Sequence, residues 1–599
     1  MDNFEDNHVE TLSITSQPDT ENQVDEWIQQ WSSYILGAPY NTEPVSDSAK
    51  QLVQQLLLAA QQGDSCLLVN QHQVMTLGQM VQNSAYAENS VIPFVHDGER
   101  LYLYRYWSLE QQLSDQVLRL KQQTLEAVNI EAYRELLTDP FQRQALQMSV
   151  TQSLNIITGG PGTGKTYTLA RIIAVLNQAQ PGLRIALAAP TGKAAQRMKE
   201  ALQNSLNDPK LTELASDELK QLTPVTIHRL LGLGTGQKPR YHARQPLPYD
   251  VIVVDEASML DLSLAQMLLA AVSGQARLIL LGDANQLASV DVGTVLADLQ
   301  QVTALAENRV HLVNSRRFGQ DALIGKMAAF IQQQAEQPDA DVLKAFSEQI
   351  ALPDIIQPVA LSKDMQDVVQ LEYLPSHRQT PAEWSECYDR LMYGYSTYAD
   401  ILSSYVKADH DESMLQQIVT VFDDYRILTA IRHGESGVHQ LNLQITKRLL
   451  ERPVIAASVQ GDWFTGRPVM MTYNDYQLGL SNGDIGICLN RIRNGSTQFE
   501  VYFPSLDKWV AVTRLPKNIE TAFALTIHKS QGSEFRHTAV VLDGNATKLL
   551  SRELLYTAIT RAKNTVTLLV NADSFVQALS VQTCRNSGLL AKVNQKLNC

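Results

Sequence analysis

Residues Gly159-Gly160-Pro161-Gly162-Thr163-Gly164-Lys165-Thr166 have the spacing GxxxxGK[ST], which builds a phosphate cradle. The glycines let backbone N–H groups wrap phosphate oxygens, and the start of the helix that should follow adds partial positive charge. On this reading Lys165 reaches the β- and γ-phosphates of ATP, and the Thr166 hydroxyl holds Mg2+. Gly159 through Thr166, with Tyr167 next in line, form the expected nucleotide-binding set. A second run, Val251-Ile252-Val253-Val254-Asp255-Glu256, is an apolar strand ending in two carboxylates. Asp255 is then the expected Mg2+ holder, and Glu256 the base that orients and deprotonates the attacking water. Alone, such an Asp-Glu pair could cap a strand–helix junction. Beside a phosphate loop it completes an NTPase site, and what the energy drives is left to the rest of the chain.

Those residues converge only if strands and helices alternate around them. Short, nearly unbroken apolar runs at 154–157, 184–189, 251–254 and 277–281 suit strands buried on both faces of a parallel sheet. Helical spacing separates them, at 193–202 and 263–272, so a doubly wound α/β domain is expected. A second set of strands is expected at 425–431, 522–527, 538–542 and 565–570. Between its members, 468–472, the Asn482-Gly483 turn and 499–503 read as short antiparallel strands, a small β-barrel inserted at about 455–515. Residues 331–424 have helical spacing and no motif. Leu101-Tyr102-Leu103-Tyr104-Arg105-Tyr106-Trp107 reads as a strand with tyrosines on one face, and Leu109, Leu113, Val117 and Leu120 follow at helical spacing.

The order and wording of further segments resemble superfamily 1 helicases, and within them the RecD group. Pro190-Thr191-Gly192-Lys193-Ala194-Ala195 and Thr226-Ile227-His228-Arg229-Leu230-Leu231-Gly232 are similar to segments that grip DNA. Leu281-Gly282-Asp283-Ala284-Asn285-Gln286-Leu287 resembles the motif whose glutamine senses the γ-phosphate, and Asn314-Ser315-Arg316-Arg317-Phe318 one whose arginine, here Arg317, contacts phosphate. Thr526-Ile527-His528-Lys529-Ser530-Gln531-Gly532 resembles a DNA-contacting motif, and Leu555-Tyr556-Thr557-Ala558-Ile559-Thr560-Arg561-Ala562 one that ends in an arginine finger. Gln142 stands where the family places an adenine-reading glutamine.

Each segment has a plain alternative: Gln142 lies in a Gln-rich helix, Arg316 and Arg317 could be solvated surface, and His228 a core histidine. Their joint order over residues 142–563 is what carries the resemblance. It implies two RecA-like domains, at 116–330 and 425–599, with an SH3-like barrel in the second and the 331–424 helices attached to it. It also implies an N-terminal partner-docking domain over 1–115. The site set becomes Lys165, Glu256, Gln286, Arg317 and Arg561 for catalysis, Thr166 and Asp255 for Mg2+, and Thr191, Lys193, His228, Thr526, His528, Lys529 and Ser530 for DNA. The implied activity is 5′-to-3′ translocation and unwinding in double-strand break repair, within a heterotrimer of RecB-like and RecC-like subunits acting on DNA ends. A stand-alone helicase or an assembly subunit with an inactive motor are the competing readings.

Bulk properties narrow the classes. At 599 residues the chain is long enough for about four domains. A net charge of −14 argues against coating DNA electrostatically, but leaves room for a narrow basic groove. Cys66, Cys387, Cys488, Cys584 and Cys599 are scattered without CxxC spacing, so neither zinc nor an iron–sulfur cluster is expected. The acidic N-terminus has no secretory pattern, and no apolar run is long enough for a membrane span, so a cytoplasmic location is expected. Asp217-Glu218-Leu219-Lys220 fits a loose nuclease pattern that is too short to carry weight.

Overall fold

In the computed structural model of the chain, residues 26–37, 41, 45–88, 90–126, 128–234, 238–315, 322–333, 342–362, 365–375, 379–475, 477–493 and 496–598 are described. Contacts divide the chain into Met1–Gln62 with Cys66–Arg105, and Gly63–Ser65 with Tyr106–Cys599.

The first unit has helices Glu26–Leu36 and Asp47–Gln61 and a sheet of β1 (Leu67–Leu68), β2 (Val81–Asn83), β3 (Phe94–His96) and β4 (Arg100–Leu103). The strand order is β1-β4-β3-β2. Ile28, Leu36, Val53, Leu56, Phe94 and Leu101 form its core. Residues 101–107 are not one strand, contrary to expectation. β4 stops at Leu103, and the helix Tyr104–Gln122 begins at the next residue. That helix buries Trp107, Glu110, Leu113, Ser114, Val117 and Leu120, so the helical period already starts inside the aromatic run and overrides its β-propensity. The unit accordingly ends at Arg105 and not at 115.

The second unit holds two parallel sheets. One contains β5 (Leu154–Gly159), β6 (Ile185–Ala189), β7 (Val225–Thr226), β8 (Val251–Val254), β9 (Arg277–Gly282) and β10 (Arg309–Leu312), in the order β10-β5-β9-β8-β6-β7. Every residue of β5, β6, β8 and β9 is buried, which explains their unbroken apolar character. Helices on both faces complete this first lobe, with separate apolar cores above and below the sheet.

The second lobe is built on β11 (Val368–Leu374), β12 (Tyr425–Thr429), and three later strands beyond an insertion. The insertion comprises β13 (Arg467–Met470), β14 (Ile485–Arg493), β15 (Ser496–Phe503), β16 (Lys508–Ala511) and β17 (Glu520–Thr521). The lobe resumes with β18 (Ala524–Thr526), β19 (Phe535–Leu542) and β20 (Ala562–Asn571), giving the parallel order β11-β20-β19-β12-β18. The segment expected to be only helical thus donates an edge strand, with Val368 to Leu374 in register with Thr565 to Asn571. The insertion is an antiparallel sheet in the order β16-β15-β14-β13-β17, around Val469, Cys488, Phe499, Val501 and Phe503. Among the described residues its end strands β16 and β17 do not pair, so the barrel closure expected from sequence is absent there.

Candidate functional site

The phosphate loop lies between β5 and the helix Lys165–Ala179, with Gly162 at φ 75° and Gly164 at φ 83°. Only glycine adopts this left-handed backbone without penalty, and it turns successive N–H groups toward one point. Lys165 Nζ donates to Gly159 O (2.6 Å) and Gly160 O (3.1 Å), which curls the side chain over the loop. Thr163 Oγ1 closes the turn onto Gly160 O at 2.8 Å.

β8 delivers Asp255 and Glu256 opposite the loop. Glu256 has φ 53°, uncommon for a non-glycine residue, and its N–H donates to Asp255 Oδ1 at 2.9 Å. Burial and the neighbouring Glu256 push the Asp255 carboxyl up to about 6, against the pull of Lys165. A cavity of about 450 Å³ is lined by Lys165, Thr166, Asp255, Glu256, Gln286 and Arg561 among others, so residues of both lobes face one space. Thr166 and Asp255 offer oxygen donors there, the ligand type a small divalent cation takes.

The second lobe enters this cleft through the helix Arg552–Ile559 and the residues after it. Arg561 is buried, and its guanidinium donates to Gln286 Oε1 (2.6 Å), Thr557 O (3.1 Å) and Ser533 O (3.2 Å). Gln286 Nε2 in turn donates to Asp283 Oδ2 at 3.0 Å, which also accepts from Tyr556 Oη at 3.1 Å. Leu287 is gripped on both backbone atoms. Its N–H donates to Thr557 Oγ1 (2.9 Å), and its carbonyl accepts from Gln531 Nε2 (2.8 Å). Arg197 adds a further bridge to Glu534 O at 2.6 Å. Asp283, Tyr556, Thr557 and Gln531 were missed as functional from sequence, although all four sit inside the motifs quoted for their neighbours.

Other expected positions are placed less openly. Gln142 is buried behind the loop, donates to Thr163 O at 3.3 Å and lies outside the cavity lining, with Oε1 unpartnered. Arg317 falls outside the described residues; its neighbour Ser315 donates to Pro161 O at 3.0 Å. Thr191 caps the helix Gly192–Leu206 by accepting from Ala194 N at 3.2 Å. Lys193 lines a second cavity of about 360 Å³ with Phe422, Asp423, Asp484 and Phe535, and burial lowers its ammonium to about 7. His228 is exposed, on a short helix after β7.

Thr526 Oγ1 accepts from Lys529 N (3.2 Å), and Lys529 Nζ pairs with Glu520 Oε2 (2.9 Å). Burial and Arg585 together lower the His528 imidazole. Ser530, expected on DNA, is fully buried and donates to Ile527 O at 2.7 Å, so its hydroxyl shapes the loop instead. Asp217–Lys220 is a short helix capped by Ser216, with Leu219 buried, an ordinary structural turn. No helix among the described residues is long and apolar enough to cross a membrane.

A family model described as an AAA domain matches residues 142–292, and one described as a UvrD-like helicase C-terminal domain matches 521–569. The chain is 32% identical over 560 residues to the RecBCD enzyme subunit RecD of Haemophilus influenzae, covering 85% of this chain and 82% of that protein. It is 37% identical over 503 residues to the RecBCD enzyme subunit RecD of Mycolicibacterium smegmatis, covering 82% of each. It is 27% identical over 458 residues to the ATP-dependent RecD2 DNA helicase of Deinococcus radiodurans, covering 76% of this chain and 52% of that protein.

Proposed function

Since the chain belongs to the RecD family of RecBCD enzyme subunits, we propose that its two lobes are the ATP-driven DNA helicase motor of such an enzyme. The observation that carries this is the cleft. Lys165, Asp255 and Glu256 come from one lobe and Arg561 from the other, joined through Gln286.

Phosphoryl transfer to water needs positioning and charge stabilisation more than covalent chemistry. Lys165 and the loop N–H groups hold the phosphates, and Glu256 orients and deprotonates the water. Thr166 and Asp255 would hold Mg2+, which would neutralise phosphate charge there. Arg561 stabilises the transferring group only when the lobes are together, so hydrolysis is tied to closure. A single strand lying across both lobes is moved by that cycle, 5′ to 3′ on the family's pattern. Thr191, His228, Thr526, His528 and Lys529 are the proposed strand contacts, together with Lys193, which lines the second cavity.

RecB-like and RecC-like subunits are the proposed partners in a cytoplasmic heterotrimer, docked through the first unit. An inactive motor does not fit, because Lys165, Asp255, Glu256 and Arg561 are all present and line one cavity. ATP-dependent unwinding of duplexes with a 5′ single-stranded tail, but not a 3′ tail, tests the reading. A 3′ preference overturns the polarity, and hydrolysis without any unwinding overturns the motor assignment.

A further inference from the structure

After β20 and the helix Ala572–Ser580, the chain leaves the second lobe and returns to the first. On the second lobe its last fixed points are Val581, whose carbonyl accepts from Arg552 N (2.8 Å), and Thr583, whose N–H donates to Glu553 Oε2 (3.0 Å). Both partners begin the helix that leads to Arg561. On the first lobe the first fixed point is Arg585, whose guanidinium donates to Asp291 O (3.1 Å) and Gly293 O (3.3 Å), in the loop after Gln286. The guanidinium lies over Gly63, where an added Cβ would meet its Cζ at 2.3 Å. Arg585 also lies close enough to His528 to disfavour the charged imidazole.

Beyond Arg585 the anchorage is dense. Asn586 N donates to Asp64 Oδ1 (2.6 Å), Gly588 N to Glu110 Oε1 (3.1 Å) and Ser587 Oγ to Asp298 Oδ2 (2.8 Å). The helix Leu589–Asn598 places Leu589 and Val593 in the first lobe's core and pairs Lys592 with the fully buried Glu110 at 2.5 Å. Breaking one partner of a buried pair strands the other charge, so this end does not detach easily.

Only Cys584 separates the two sets of anchors. Three consecutive Cα atoms span at most about 7 Å, so the lobes can pivot at this point but not part. We propose that residues 583–598 form a strap that couples the lobes during the ATP cycle, with Arg585 as the positioning residue. It ties the helix Arg552–Ile559, which ends two residues before Arg561, to the loop that follows Gln286. Closure at the nucleotide is thereby converted into a rotation about the strap, and not into a loose approach of two tethered bodies.

The inference rests on the motor reading, and its test separates the two. About four Gly/Ser residues inserted between Cys584 and Arg585 keep every anchor and remove the short tether. In the full-length chain assembled with its partner subunits, this variant should keep ATPase and its melting temperature within about 2 °C of wild type. It should consume at least about threefold more ATP per base pair unwound. Arg585→Ala should raise that ratio in the same way, and Arg585→Lys should recover most of it, because a cation still reaches both carbonyls. A wild-type ATP yield in the insertion variant overturns the strap while leaving the motor intact. Wild-type protein that hydrolyses ATP without unwinding overturns the motor itself. If Arg585→Ala misfolds, the insertion variant alone decides.

Discussion

Arg561 Nη2 and Gln286 Oε1, contributed by opposite lobes, are 2.6 Å apart, and both side chains are buried. That bond joins the two lobes at the wall of the cavity proposed to hold the nucleotide. Arg561→Ala should lower DNA-stimulated ATPase by at least about a thousandfold, the scale of an arginine finger. Gln286→Ala should cost less, and the double variant little more than Arg561→Ala alone, because the two act as one unit. Additive losses in steady-state kcat/KM would separate them.

Lys165→Gln should abolish ATPase by about a hundredfold or more while leaving the melting curve unchanged. The half-buried ammonium, at the start of the helix Lys165–Ala179, donates to the Gly159 and Gly160 carbonyls beside the cleft and is not part of the apolar core, so its loss leaves no core cavity. Activity within tenfold of wild type would reject the phosphate-binding role.

Glu256→Gln should still bind ATP and single-stranded DNA but turn over slower by about a hundredfold to ten-thousandfold, since the amide keeps the shape and loses the base. Filter binding beside single-turnover hydrolysis checks this. Near-normal turnover would assign water activation to another group.

The pH profile should carry the mark of Asp255. Its folded-state carboxyl is raised to about 6, so it gains a proton as pH falls through that value and would then no longer hold the proposed Mg2+. kcat/KM for ATP reports the free enzyme and should show an acid limb near pH 6. A limb centred below about pH 5, the ordinary carboxylate range, is the result that rejects the assignment.

On the first unit, Trp27, Trp31 and Tyr34 are 41%, 54% and 73% exposed along one side of the helix Glu26–Leu36, while Ile28, Ser32 and Leu36 face inward. Aromatic side chains of this kind anchor protein interfaces. If the RecC-like subunit docks here, Trp31→Glu should weaken co-purification of the partners by about thirtyfold, the loss of one hot spot. ATPase on single-stranded DNA should be unchanged. Full recovery of the heterotrimer would move the docking surface elsewhere.

What could be read from residues alone was whatever depends on short-range chemistry. β5, β6, β8 and β9 announce themselves because a strand buried on both faces must be apolar throughout. The phosphate loop does so because only glycines at 162 and 164 tolerate the required backbone. Tertiary structure decided the places where local signals compete or where partners are distant in the chain. Tyr104 and Tyr106 favour a strand by type, yet the helix that buries Trp107 and Leu113 takes them, because core packing outweighs propensity. β11 is an edge strand only because β20, nearly two hundred residues later, offers it a register. Ser530 lies in a segment that resembles a DNA-contacting motif, but the fold turns its hydroxyl to Ile527. Arg585 carries no motif at all; its role comes from two carbonyls at Asp291 and Gly293, which no spacing in the sequence brings near it.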